Sequence, residues 1–131
     1  MVQEILDVIN KCEGFVTRGH ELHYGAVNMS THKLCDDVNK AISDFQDNVA
    51  EDAQAIYGQI KVGELSPVLP KSTTLVDLLI EIRAMILNMK SILTENMYTG
   101  IINECDDMFH KVNQFIYLAR ICERGHEIGN D

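Results

Sequence analysis

Apolar residues recur along this chain at steps of three and four, the spacing that places them on one face of an α-helix. Four stretches carry the pattern. The first covers about 2–25, with Ile5, Ile9, Cys12 and Val16 along one seam. The second follows Ser30 or Thr31, either of which suits an N-cap, and continues to about Val62; its stripe is Leu34, Val38, Ile42, Phe45, Val49, Ile56 and Ile60. The third, about 74–93, opens after "KSTT" and is strongly apolar through Leu75, Leu78, Leu79, Ile82, Met85, Ile86 and Met89. "TEN" at 94–96 breaks it. The fourth, about 97–123, runs through Ile101, Ile102, Cys105, Met108, Phe109, Val112, Phe115, Ile116 and Ala119.

Each stripe must be buried against the others, so the expected fold is all-α, a four-helix bundle in a single domain over 1–131. The first and last connections are short, as antiparallel neighbours require. The middle one is different. It holds both prolines of the chain, Pro67 and Pro70, in "VGELSPVLPKST". Stretched, about 12 residues span roughly 40 Å, enough to run the length of a bundle as a long crossover.

The polar positions on the second helix are as regular as the apolar ones. Taking His32 as origin and 100° per residue, Asp36, Asp47 and Glu51 fall at about 40°, 60° and 100°, whereas the apolar stripe centres near 240°. The row therefore faces away from the chain's own core. It is also symmetric about a point between Ala41 and Ile42. If this helix packs antiparallel against its copy across a two-fold axis, His32 meets Glu51 and Asp36 meets Asp47, giving two equivalent sites roughly 22 Å apart. The first helix adds nitrogen near His32: His20 and His23 continue the Ile9–Cys12–Val16 seam, and the sequence leaves open which of them reaches the site. Mixed imidazole and carboxylate ligation suits Fe(II) or Zn(II). The competing reading is a solvated outer face, the usual fate of Asp and Glu on a helix.

Composition narrows the classes. The 46% apolar and 24% charged content is that of a folded domain, and the net charge of −9, with scattered Lys and Arg, argues against a dedicated nucleic-acid binder. No apolar run approaches the length of a membrane span, and no signal-peptide pattern opens the chain. Cys12, Cys35, Cys105 and Cys122 sit far apart without a CxxC pair and read as reduced, structural residues, which fits a cytoplasmic protein. His110 reads as polar filler on the fourth helix. The closing "CERGHEIGND" reads as loosely ordered, with His126 exposed.

"HELHY", "THKLCDDV" and "DNVAED" together resemble the mini-ferritins known as DNA-binding proteins from starved cells (Dps). The resemblance spans about residues 5–121 and is specific over 20–51, where Asp36, Asp37, Asp47 and Glu51 follow His32 at the family's spacing. "NQFIYLARI" resembles the family's closing aromatic segment. What the resemblance implies is a ferritin-like bundle assembling into a hollow dodecamer from two-fold dimers. Ferroxidase sites at the two-fold interfaces would oxidise Fe(II), usually with hydrogen peroxide, and ferric iron would be stored inside. It implies Asp47 and Glu51 as iron ligands from one subunit and His23 and His32 from the other, with Asp36 as a further ligand or a supporting group, and His20 as the substitute for His23. The chain has no basic arm, so DNA binding is expected to be weak or absent.

Overall fold

The computed structural model describes residues 2–95 and 99–127. Four helices account for most of them: α1 (Gln3–Tyr24), α2 (Met29–Tyr57), α3 (Leu75–Glu95) and α4 (Thr99–Glu127), with no strand among the described residues. α1 packs against α2 and α3, and α4 against the same two, so α1 and α4 occupy one diagonal of the bundle and α2 and α3 the other. One contiguous core takes Ile9, Cys12 and Phe15 from α1, Val38, Ile42 and Val49 from α2, Leu79, Ile82 and Ile86 from α3, and Ile101, Cys105 and Val112 from α4. Apart from Phe15, these lie on the stripes the periodicity predicts; in α1 Phe15 is buried where the pattern predicts Val16, and Val16 is only half-buried. No described helix is long and apolar enough to cross a membrane.

The helix ends differ from the sequence reading, for local reasons. α2 is capped by Asn28, whose side chain accepts a hydrogen bond from the Thr31 N–H at 2.8 Å, and not by Ser30 or Thr31. It stops at Tyr57 and not at Val62, because Gly58 adopts φ +93° with an extended ψ of 169°, a conformation essentially reserved for glycine. The Gly58 N–H still donates to the Gln54 carbonyl, and the Gln54 side chain turns to accept from the Ile60 N–H. Ile60 is thus beyond the helix and half-buried, and Ile56 is 47% exposed, since the buried face of α2 ends at Ala53. α4 continues through Glu127, four residues past its expected end, so much of the segment read as loose is helical. The expectation for His126 concerns a side chain outside the described residues.

Residues 58–74 connect α2 to α3 and are held along α1. The Ser66 N–H donates to Asn10 Oδ1 at 2.9 Å, and the Val68 N–H to the Asn10 carbonyl at 3.1 Å. Gly14 permits this approach: a Cβ there would lie 1.7 Å from the Val68 carbonyl oxygen. Further along, Arg18 donates to the Ser72 carbonyl, while the Ser72 hydroxyl donates to Glu81 of α3. Thr74 caps α3 through its Oγ1, which accepts from the Asp77 N–H at 3.2 Å.

Candidate metal centre

The α1–α2 connection is only Gly25 to Asn28, so the last turn of α1 must lie beside the first turns of α2. The Gly25 N–H closes α1 on the Glu21 carbonyl, and Asn28 starts α2, its carbonyl accepting from the His32 N–H at 3.1 Å. These two ends carry His23 and His32. Their rings lie face to face, with centroids 3.8 Å apart and planes tilted by 30°.

Each imidazole is fixed by the backbone of the other. His23 Nδ1 donates to the His32 carbonyl at 2.9 Å, and His32 Nδ1 donates to the His23 carbonyl at 3.2 Å. A carbonyl only accepts, so the proton sits on Nδ1 in both rings, and in the neutral form Nε2 keeps its lone pair free. Asp36, one turn beyond His32, brings Oδ1 to 3.3 Å from His23 Nδ1. One nitrogen of each ring and a carboxylate oxygen of Asp36 all lie within 4.8 Å of one another.

This donor set fits a first-row divalent ion such as Fe(II) or Zn(II). Histidine ligands commonly hold their second nitrogen against a carbonyl or carboxylate, which fixes tautomer and ring orientation, as both rings do here. Asp36 on the Nδ1 side of His23 supports that orientation and, being 65% exposed, keeps an oxygen available to an ion. Cys35 stands next in sequence but points inward. Burial, then the neighbouring Asp36 charge, then Cys122 push its thiol up to about 11. It stays protonated at neutral pH, and the gathered donors are the nitrogens of His23 and His32 and an oxygen of Asp36.

The other sequence-identified residues lie elsewhere. His20 is exposed and stacks toward Tyr24 with centroids 6.2 Å apart, and it is not among the donors gathered with His23, His32 and Asp36. Asp47 and Glu51 are exposed on the outward face of α2, with Asp47 eleven residues beyond Asp36, about 16 Å along the helix. They cannot reach the same ion as their own chain's histidines. His110 is exposed on α4.

A feature the sequence does not announce lies beyond the histidines, one turn from His23 along α1 and two turns from His32 along α2. Asn39 is 7% exposed, and neither its Oδ1 nor its Nδ2 has a hydrogen-bond partner. It abuts Gly19 of α1, where a Cβ would fall 1.8 Å from Asn39 Oδ1. The contact sets how closely α1 and α2 approach beneath the imidazole pair. Periodicity alone could not single it out, since Asn39 and Gly19 gain meaning only as neighbours. Comparison with protein-family models, curated proteins and solved structures finds no match to this chain.

Proposed function

We propose that this chain is a Dps-like mini-ferritin that binds Fe(II) at sites shared between two-fold-related copies, oxidises it with hydrogen peroxide and stores the ferric product in a hollow dodecamer. The observation that carries this reading is the His23–His32 pair. Two imidazoles held in one tautomer by each other's carbonyls, with Asp36 beside them, form half of an N/O site at the edge of an outward carboxylate row. Asp47 and Glu51 of a second copy, related by the symmetry of α2, supply the other half. The 58–74 segment running along α1 supports a ferritin-like long crossover.

Iron is the substrate and cargo in this scheme. Two Fe(II) ions each give up one electron, and one hydrogen peroxide takes both with two protons to become two waters, so no hydroxyl radical is released. The carboxylates stabilise the ferric product, a hard cation, and the imidazoles leave positions open for the oxidant. The acidic balance of the chain draws cations toward it.

The test is anaerobic addition of Fe(II), then peroxide, to the wild type and to Asp47→Ala/Glu51→Ala, following ferric absorbance. The wild type is expected to oxidise iron at least tenfold faster than the variant. Equal, slow rates would remove the ferroxidase reading. They would leave a non-catalytic helical assembly protein, a reading favoured by the exposed Tyr24, Val27, Met29, Leu118 and Ile121.

A further inference from the structure

We infer that a divalent transition-metal ion is the switch that joins two copies of this chain through α2: the pairing fails without the ion and forms with it. This rests on the two-fold reading proposed above and adds its regulation.

The geometry divides the ligands. His23, His32 and Asp36 are gathered within one chain, whereas Asp47 and Glu51 sit on the same outward face but too far along the helix to serve that ion. The site is therefore incomplete until a second α2 arrives, and the register that brings Glu51 to His32 also brings Asp47 to Asp36 in both directions.

Between its two ends that face has little else to drive pairing. Among the described residues, the large exposed apolar side chains lie at Tyr24 closing α1 beside His23, on the α1–α2 connection, on 62–69, and on α3 and α4; α2 itself contributes only Met29 and Ile56, at its two ends. Between them the helix carries Asp36, Asp37, Asp44, Asp47, Glu51 and Asp52 against Lys33 and Lys40, and Lys40 is already paired with Asp44 at 2.7 Å. Bringing two such faces together places Asp36 opposite Asp47 and gathers three carboxylates at each end of the interface. Like charges in register oppose association. A divalent ion at each end removes most of that charge and adds bonds that only the pair can make. The cation thus supplies the contact energy that apolar surface provides in most dimers.

Two consequences separate this from simple metal binding. Uptake is cooperative, because the first ion fixes the second chain and completes the other site. The metal concentration at half-saturation also falls as protein concentration rises, since the ligand set is bimolecular.

The experiment is light scattering of the full chain in EDTA, in Co(II) and in Mg(II), with Co(II) as a redox-stable stand-in for Fe(II). Co(II) is expected to raise the mass at least twofold over that in EDTA. Mg(II), which binds imidazole poorly, leaves the mass unchanged. Asp47→Asn/Glu51→Gln and His23→Ala/His32→Ala each lose the response, and circular dichroism checks that both remain helical. Mixing the two variants restores assembly, because a mixed pair rebuilds one complete site. An assembly whose mass is the same in EDTA and Co(II) overturns the switch; retained peroxide-dependent iron oxidation in that sample leaves the ferroxidase reading standing. Mg(II) matching Co(II), or mixing without restoration, overturns the role given to the imidazoles. A species that stays at one chain under every condition and oxidises iron no faster than the Asp47/Glu51 variant overturns both readings.

Discussion

At the scale of single residues, the thiols and one buried amide carry the clearest consequences. Burial pushes Cys12 and Cys105 up to about 12 and Cys35 to about 11, from an ordinary value of 9.0. Cys122 is only half-buried. A thiol reagent at pH 8 is expected to modify Cys122 first in the folded protein and the other three only after denaturation, which a time course of labelling checks. Because the folded thiols hold their protons where unfolded ones lose them, their contribution to stability is complete below about pH 9 and is lost as pH rises toward 11–12. Urea midpoints should therefore fall between pH 8 and pH 10.5. The Asn39–Gly19 contact makes a separate prediction. Gly19→Ala forces a methyl into the amide and should cost about 1–3 kcal/mol. In Gly19→Ala/Asn39→Ala the new methyl occupies space the amide vacates, so the double variant should be more stable than Gly19→Ala alone. Urea melts showing simple additivity would remove this account of the close approach.

At the scale of elements, the decisive piece is the short link between α1 and α2. Four residues fix the rotational phase of one helix against the next, and that phase stands His23 on His32 while His20 turns toward Tyr24. Asn28 starts α2 at the right residue by capping the Thr31 N–H and accepting from the His32 N–H. Asn28→Ala should cost about 1 kcal/mol in a urea melt. It should also weaken Co(II) binding, because fraying of the first turn of α2 releases the His32 carbonyl that holds the His23 ring. Wild-type Co(II) affinity in this variant would show that the imidazole pair does not depend on the cap.

At the scale of the whole molecule, the charge distribution sets what the surface can meet. With eleven Lys and Arg against twenty Asp and Glu, the net charge of −9 opposes a phosphate backbone. A gel shift with duplex DNA at physiological salt should show no retarded band. The proposed dodecamer of 14.8 kDa chains would elute at roughly 180 kDa in the presence of metal. Exposed apolar residues on α3 (Ile80, Leu87) and α4 (Tyr117, Leu118, Ile121) are available for the further contacts that the proposed shell would need beyond the proposed α2 pairing.

The number of helices, most of the residues forming the core and the outward direction of the carboxylate row on α2 follow from the sequence alone. They depend on a 3.6-residue period and on apolar burial, both of which act locally and tolerate imprecise ends. Where the second helix stops depends on Gly58 taking a backbone conformation that competes with an apolar pattern continuing through Ile60. Which histidine stands with His32, why Gly14 and Gly19 carry no side chain, and how Asn10 and Arg18 hold the 58–74 segment against α1 were decided by tertiary structure. Those facts belong to pairs of residues distant in sequence, and a period read along one chain carries no information about the distance between two of its turns.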